Sequence, residues 1–292
     1  RLLSKKIEQL SLENIGLRAR DLEIVKKSIK NPHGMILVTG PTGSGKTTTM
    51  YELLKYLNTE EVHVASIEDP VEYNIEGVSQ IQVDNKADLS FANGLRAIVR
   101  QDPDIIMVGE IRDLETAEIA VNAGMTGHLV LSTLHTTDSA TALPRLLDMK
   151  IEPFLVASTV NLVIAQRLLR MICMKCRHTY NLTELDLGFI DMTKGLKERI
   201  EKRYNKIIEE ITWYKGDGCK ACSCSRYSGR TGIYEVLQMS PQIKKLVSRE
   251  ASNQEIKALA LSEGITTMLE DGIEKAANGI TTLEEVIRVA ME

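Results

Sequence analysis

The chain has 292 residues, enough for one large or two smaller globular domains around a sizeable core, so its size excludes a mini-protein held together by disulfides. Lys and Arg number 36 against 40 Asp and Glu, and the net charge of -4 argues against a strongly basic nucleic-acid wrapper, although it leaves room for a local basic face. Aromatic residues make up only 4%, so aliphatic side chains must dominate the core.

Residues 1–30 are charged and helix-prone, and they end at Asn31 and Pro32, where a boundary is expected. We interpret this segment as the end of a truncated amino-terminal domain with its linker. The chain starts at Arg1 without a signal-peptide pattern, which indicates a part of a longer protein. The longest mostly apolar stretch, residues 154–165, contains polar residues and is shorter than the ~20 residues that a membrane span needs, so no transmembrane helix is predicted.

Short apolar runs that alternate with helical patterns begin at Met35. Four runs are predicted as strands of a largely parallel, buried sheet: MILV at 35–38, HVASI at 63–67, DIIMV at 104–108 and HLVLS at 128–132. The helix after the first run has an apolar stripe that includes Met50, Leu53 and Leu54, and the helix after the second run begins behind Ser90 as its N-cap. The pattern therefore predicts an α/β domain over residues 31–171.

The rest of the chain is predicted to be mainly helical. A long buried helix is expected after Pro153, leading into the first pair of cysteines. An amphipathic helix is expected over residues 196–211. From Tyr227 the pattern indicates a helical domain over residues 227–292, whose last helix opens with a capping box at Thr281 and Glu284.

A phosphate-binding loop is predicted between the first strand and the helix that follows it. The residues expected to bind the nucleotide are Gly40, Pro41, Thr42, Gly43, Ser44, Gly45, Lys46, Thr47 and Thr48. The glycines allow backbone N–H groups to turn toward the β- and γ-phosphates, and the helix amino terminus adds its dipole. Lys46 supplies a positive charge and Thr47 a hydroxyl for magnesium, so ATP and Mg²⁺ are the expected cofactors. The alternative is a glycine-rich turn that binds nothing.

Two of the predicted strands end in carboxylates. Glu68 and Asp69 follow the second strand, and Glu110 follows the third. Such a residue beside a phosphate loop holds magnesium or orients the attacking water. Gly109 stands where many phosphate-loop proteins have the magnesium-binding Asp, so Glu110 is assigned to water polarisation more than to metal ligation. The alternative for both glutamates is a carboxylate that caps a helix or stays solvated.

Histidines stand at both ends of the fourth predicted strand. His128 and His135 are roughly 20 Å or more apart in an extended chain, so they cannot share one metal ion. Two hydrogen-bonded histidines in or beside the core are the alternative to a role in a site.

Four of the five cysteines form two Cys-x-x-Cys pairs: Cys173 with Cys176, and Cys219 with Cys222. Four thiolates in two chelating pairs are the ligand set of a closed, structural zinc site, which we predict within residues 172–226. The long loop between the pairs is only a small argument against a zinc site, because the free-energy cost of closing a loop grows by only about 0.6 kcal/mol per doubling of its length. A redox pair or unligated cysteines are the alternatives. Cys224 is expected to be a free thiol.

Four sequence blocks, in this order, carry a resemblance to a known family: GPTGSGKTTTMY, IEDPVEY, LRAIVRQDPDIIMVGEIRD and TGHLVLSTLHT. The chain resembles, along its whole length, the secretion ATPase superfamily that powers type II secretion and type IV pilus machines. In that family the second block is the Asp box, the third a Walker B motif with a glycine before its glutamate, and the fourth the His box. The matching residues are Glu68, Asp69 and Glu72, then Gly109 and Glu110, then His128 and His135.

The resemblance implies a RecA-like core with a mostly parallel sheet, followed by a zinc-binding tetracysteine module and a small helical domain. The four cysteines are similar to those of the type II secretion and pilus extension branch, whereas the retraction motors lack them. Glu110, Glu68, His128 and His135 are the implied catalytic residues. Arg1 and Arg18 are candidates for arginines that act across the nucleotide.

Partners and location are also implied by the resemblance. Family members form hexameric rings, hydrolyse ATP between subunits and push an inner-membrane platform protein that works pilin-like subunits. A cytoplasmic homohexamer, peripheral at the inner membrane and without a nucleic-acid partner, is therefore expected.

Two other functions fit parts of the sequence. A RecA-like nucleic-acid translocase with a zinc module would share the loop and the ring, but few aromatic residues and a negative net charge disfavour it. A nucleotide-gated adaptor, in which ATP sets only the conformation, is the non-enzymatic alternative.

Overall fold

The computed structural model of the chain describes residues 10–192 and 195–290, so Arg1 lies outside the described residues. The strands are β1 Gly34–Thr39, β2 Val64–Glu68, β3 Val78–Gln82, β4 Ile105–Val108, β5 Leu129–Leu134, β6 Val160–Ile172, β7 Arg177–Tyr180, β8 Trp213–Gly216 and β9 Tyr227–Gln238. The α-helices are α1 Ala19–Ser28, α2 Lys46–Leu57, α3 Phe91–Val99, α4 Leu114–Met125, α5 Ser139–Asp148, α6 Pro153–Thr159, α7 Glu184–Met192, α8 Leu196–Tyr204, α9 Pro241–Ser248, α10 Asn253–Ser262, α11 Met268–Ala277 and α12 Leu283–Ala290.

Seven strands form one sheet in the order β3-β2-β4-β5-β1-β6-β9, and parallel pairings link all of them from β3 to β6. Every residue of β1, β2, β4 and β5 is buried, as expected for parallel strands covered on both faces. The mostly parallel α/β sheet and its four predicted strands are confirmed. Because β4, β5 and β1 are neighbours, the segments that follow their carboxyl ends meet at one edge of the sheet.

The long helix predicted after Pro153 is wrong beyond Thr159. There α6 ends and the chain continues as β6, which pairs with β1 from Val160, opposite Met35, to Ala165, opposite Thr39. A continuous apolar run is compatible with a buried helix and with a buried strand, and periodicity alone does not separate the two.

The helix predicted over residues 196–211 is shorter in the structure. α8 ends at Tyr204, because Asn205 takes a left-handed conformation with a φ of 51°. Ile208 then lies in a single 3₁₀ turn, and Trp213 begins β8, which pairs with β7 in a two-stranded antiparallel sheet.

The region from Tyr227 is not helical at its start, because residues 227–238 form β9 and the helices begin at Pro241.

The predicted capping box of the last helix is also wrong by one residue. Thr281 donates its hydroxyl to the carbonyl oxygen of Arg170 at 2.8 Å. The neighbouring Thr282 instead accepts the backbone N–H of Glu285 at 3.0 Å.

The chain divides into two compact units. The first, named the core unit, comprises the described residues up to Gln166 together with Glu235–Ile265, and its core includes Leu37, Ile67 and Val108. The second, named the cysteine unit, comprises Arg167–Tyr234 and the described residues from Thr266 onward. The four-part division expected from the sequence stays a prediction. No helix in the described part of the chain has the length and apolar character to cross a bilayer.

Candidate active site

The phosphate loop, residues 40–48, runs from the end of β1 into the first turn of α2. Gly43 and Gly45 have φ values of 81° and 90°, in the left-handed region that glycine adopts at little cost. Lys46 donates from Nζ to the carbonyl oxygens of Gly40 at 2.9 Å and Pro41 at 3.2 Å. Burial lowers the pKa of Lys46, and the nearby charge of Glu110 opposes that shift. A partly buried ammonium held by neutral carbonyls is suited to bind an anion.

Glu110 follows β4 and is held between two basic side chains. Its Oε1 accepts from Arg112 at 2.5 Å, and its Oε2 lies 3.3 Å from Nε2 of His135. Burial raises the pKa of Glu110, but Arg112 and His135 outweigh burial and leave that pKa below its ordinary value. Glu110 is therefore a carboxylate at neutral pH, and with 14% of its side chain exposed it can still contact water.

The two histidines lie at opposite ends of β5. His135 follows the carboxyl end and reaches Glu110. His128 precedes the amino end, is buried, and has its Nδ1 2.6 Å from the carbonyl oxygen of Pro103. The structure thus brings His135 to the sheet edge that carries Glu110 and Lys46 and leaves His128 at the other edge. A catalytic role for His128 stays a prediction.

Glu68, at the carboxyl end of β2, lies in a buried network of protein donors. It accepts hydrogen bonds from the Tyr51 hydroxyl at 2.5 Å, the Ser66 hydroxyl at 2.7 Å and the Gln80 amide at 3.0 Å. Burial and Glu68 together raise the pKa of Tyr51, so this tyrosine stays protonated and donating. Because Tyr51 is on α2, the network ties Glu68 to the helix that starts at the phosphate loop. A catalytic role for Glu68 stays a prediction.

Two residues at this edge were missed by the sequence reasoning. Arg112 stands two residues after Glu110, a position that could have drawn attention as a cation beside a candidate carboxylate. Gln166 on β6 is 1% exposed and donates from Nε2 to the carbonyl oxygen of Ser44 at 2.8 Å. Its signal was an amide directly after the apolar run LVIA at 162–165. Arg18, a predicted candidate, directly precedes α1 and pairs with Asp21 of that helix at 2.5 Å, and its role across the nucleotide stays a prediction.

The cysteine cluster brings together four sulfur atoms that all lie within 4.8 Å of one another: Cys173, Cys176, Cys219 and Cys222. Three of the Sγ–Sγ distances are 3.8, 4.0 and 3.8 Å. A tetrahedral zinc ion with Zn–S bonds of about 2.3 Å would separate its sulfurs by about 3.8 Å. The four thiols therefore fit a closed zinc site.

Backbone donors prepare the cluster for a thiolate. The backbone N–H of Cys219 donates to Sγ of Cys222 at 3.2 Å and lowers the pKa of Cys222 to about 6. The fifth cysteine, Cys224, is exposed and is not among the clustered sulfurs. The predicted grouping of four cysteines, with Cys224 apart, is what the structure shows.

Comparison with known proteins gives consistent matches along the chain. The family model described as type II/IV secretion system protein matches residues 1–288. The chain is 45% identical over 292 residues to type II secretion system protein E of Pseudomonas aeruginosa, a match that covers 100% of this chain and 55% of that protein. It is 46% identical to type II secretion system ATPase E of Vibrio cholerae, over 100% of this chain and 55% of that protein.

A pilus protein is equally similar. The type IV pilus assembly ATPase PilB of Myxococcus xanthus is 46% identical over 287 residues, which cover 98% of this chain and 49% of that protein. The chain therefore spans about half the length of the curated relatives it matches.

Solved structures show the same fold. The pilus retraction motor PilT with bound ADP is similar with a TM-score of 0.69 and 29% identity, over 99% of this chain and 68% of that one. The ATPase DotB of Legionella pneumophila is similar in fold, with a TM-score of 0.66 at 21% identity, over 97% of this chain and 65% of that one.

Proposed function

The chain belongs to the type II/IV secretion system protein family, and on that premise we propose that it is the ATP-hydrolysing part of a motor for type IV pilus assembly or type II secretion. The observation that supports this most is the meeting of three groups at one sheet edge. The phosphate loop follows β1, Glu110 follows β4 and His135 follows β5, and these strands are neighbours in the order β4-β5-β1.

The roles of the residues follow from their chemistry. Backbone N–H groups of the phosphate loop and Lys46 would bind the β- and γ-phosphates, and the Thr47 hydroxyl would hold Mg²⁺, which neutralises phosphate charge when bound. The Glu110 carboxylate would orient a water for attack on the γ-phosphorus, breaking the bond to the leaving ADP oxygen and yielding ADP and phosphate. His135, on the other carboxylate oxygen, would hold Glu110 in position.

The cysteine cluster would bind zinc as a folding element. Four thiolates fill a tetrahedral shell and leave no position for substrate. Zinc therefore contributes to the stability of the cysteine unit and takes no part in hydrolysis.

The machine and the assembly state are part of the proposal. The relatives' names support a type II secretion or a pilus assembly system. We place the motor at the cytoplasmic face of the inner membrane, as a homohexamer that acts on a platform protein and thereby drives pilin or pseudopilin assembly. The four-part division of the chain into linker, ATPase core, tetracysteine module and helical domain belongs to the same proposal.

The test is steady-state ATP hydrolysis by the full-length protein, compared with Glu110→Gln. Loss of the water-orienting carboxylate is expected to lower kcat by on the order of 10²–10³-fold while nucleotide still binds. Glu115→Gln is the matched control, because Glu115 is an exposed glutamate paired with Arg96 at 2.5 Å, and it should leave kcat within twofold.

Four results would each overturn a different part of the proposal. Equal hydrolysis by wild type and Glu110→Gln would remove Glu110 from the mechanism. Bound ATP that never turns over would instead support a nucleotide-gated adaptor. Salt-dependent stimulation by single-stranded DNA would support a translocase. Co-purification from membranes tests the partner, because a full-length chain that captures no pilus or secretion platform protein would be an ATPase without the proposed load.

A further inference from the structure

Gln166 lies against the phosphate loop at two points, Ser44 and Gly40. Its side-chain Nε2 donates to the Ser44 carbonyl oxygen at 2.8 Å. Its backbone carbonyl oxygen lies so near Gly40 that a Cβ at that glycine would be only 2.4 Å away. In the pairing of β1 with β6, Thr39 stands opposite Ala165, so Gln166 is the β6 residue that faces the chain where it leaves the sheet. One residue of β6 therefore supports both the first glycine and the tip of the loop.

The side-chain hydrogen bond fixes the orientation of a whole peptide group. The Ser44 carbonyl and the Gly45 N–H belong to the same planar trans peptide, so they point in opposite directions. A carbonyl held toward Gln166 turns the Gly45 N–H away from β6. Gly45 has a φ of 90° and directly precedes Lys46, the first residue of α2. That N–H is therefore one of the loop donors available to a bound phosphate.

Packing alone does not account for an amide at this place. Gln166 is 1% exposed, and its Oε1 has no hydrogen-bond partner within the part of the chain that the structure describes. A buried amide oxygen without a partner is costly, and a methionine would fill a similar volume without that cost. The orientation of the amide is set by chemistry, because the Ser44 carbonyl only accepts and must face the NH₂ group.

We infer that Gln166 is a positioning residue for nucleotide binding, which holds the Ser44–Gly45 peptide so that its N–H points to the β-phosphate. The inference rests on the proposed function, since it requires a nucleotide in the loop. ATP and ADP share the β-phosphate, so Gln166 acts on the binding of both. Its effect is on the affinity of the loop, with no part in the chemical step that Glu110 serves.

The experiment measures dissociation constants of full-length variants for a fluorescent ADP and, by competition, for ATP in the presence of Mg²⁺. Gln166→Met removes the donor to the Ser44 carbonyl at similar volume. The Gly45 N–H is then no longer held toward the β-phosphate, and loss of that one charge-assisted hydrogen bond is expected to weaken the binding of both nucleotides by about 10–100-fold. In hydrolysis, KM should rise by the same factor while kcat at saturating ATP stays within about threefold. Gln166→Glu, which places an acceptor against the Ser44 carbonyl, should bind at least as weakly.

The matched control is on the same strand. Asn161 also donates its side-chain amide to a backbone carbonyl, that of His33 at 2.9 Å, but away from the phosphate loop. Asn161→Leu should keep both dissociation constants within twofold of wild type. Thermal unfolding of each variant shows whether it is folded, and should Gln166→Met fail to fold, Gln166→Glu carries the comparison.

The outcomes separate the two proposals. Nucleotide affinity of Gln166→Met equal to that of Asn161→Leu would overturn the positioning role, as would a fall in kcat with unchanged affinity. A wild-type chain that binds ATP and ADP without hydrolysis would overturn the motor proposal and leave the affinity test intact. A wild-type chain that binds no nucleotide would overturn the proposed function itself, and the positioning role with it.

Discussion

The phosphate-loop edge of the core unit is open to solvent, whereas the cysteine cluster of the cysteine unit is enclosed by its own sulfur atoms. At the loop edge the partners of Glu110 remain partly exposed, since 49% of the His135 side chain and 63% of Arg112 face solvent. In the cluster, four sulfurs face one another at distances that suit a single ion. A site for chemistry keeps its donors open to a ligand, whereas a site for folding is closed by its own ligands.

The two sites also differ in the sequence separation of their residues. The groups proposed to bind nucleotide are consecutive residues, held by the turn from β1 into α2. The cluster joins Cys173 to Cys219, which are 46 residues apart. Substitution of one loop residue should therefore weaken nucleotide binding and leave the fold unchanged. Loss of one sulfur should destabilise the fold itself.

The largest expected effect breaks the closed site. Cys222→Ser removes one of four ligands, and zinc in such sites contributes on the order of 10 kcal/mol of folding free energy, so the cysteine unit should lose its metal and its cooperative melting. Zinc content per chain and thermal unfolding measure this. Cys224→Ser is the control, because its thiol is exposed outside the cluster, and it should keep one zinc per chain. Full zinc occupancy in Cys222→Ser would refute the four-ligand site.

A smaller but still large effect is expected at the open site. Lys46→Ala removes the ammonium that the loop carbonyls hold, and should weaken ATP binding by about 10²–10³-fold, while the melting temperature changes little. Titration with a fluorescent nucleotide measures the loss. Lys55→Ala, on the same helix but paired with Glu52 at 2.9 Å, should bind ATP like wild type. Unfolding of Lys46→Ala would show that the loop lysine is structural, and would remove the contrast.

The smallest effect is expected at Glu285 of the cysteine unit, a carboxylate paired with two arginines. Burial raises the pKa of Glu285, but Arg288 at 2.8 Å and Arg170 at 2.6 Å outweigh it and lower that pKa to about 2. The carboxylate therefore stabilises the folded state above its unfolded pKa, and that stabilisation is lost as pH falls from about 5 toward 2. With both arginines half exposed, solvent screening leaves about 1–2 kcal/mol for Glu285→Gln to remove at neutral pH.

Urea unfolding of Glu285→Gln at pH 7 and pH 3 measures this contribution. The difference from wild type should shrink at the lower pH. Glu209→Gln, whose exposed partner Lys197 is 3.7 Å away, should change the free energy of unfolding by less than about 0.5 kcal/mol. A Glu285→Gln difference that is unchanged between the two pH values would show that the arginines do not set the pKa of Glu285.

The sequence was most informative where burial is complete on both faces. β1 and β5 each contain a continuous apolar run, MILV and LVL, a pattern typical of central parallel strands, and both were predicted. β3 was missed, because its five residues VSQIQ are mixed in character and only partly buried at the sheet edge. β6 was taken for a helix, since an apolar run gives no period to measure.

The candidate site shows the same limit. The phosphate loop and the four cysteines were found because their residue spacing is local and their chemistry specific. Arg112 stands only two residues after Glu110 and could have been noticed as its partner. The pairing of Glu110 with His135 depends on which strands are neighbours, and no spacing along the chain contains that information. Gln166 was missed for the same reason, because its partner Ser44 is 122 residues away.

The chain passes from one unit to the other at three places: between Gln166 and Arg167, between Tyr234 and Glu235, and between Ile265 and Thr266. The first lies inside β6 and the second inside β9, and only the third lies in a connection between helices. Neither unit can thus be expressed alone by cutting at a linker without severing a strand. Of the three boundaries, only the one at residues 265–267 could be cut by a protease or could receive an inserted tag without interrupting a strand of the sheet.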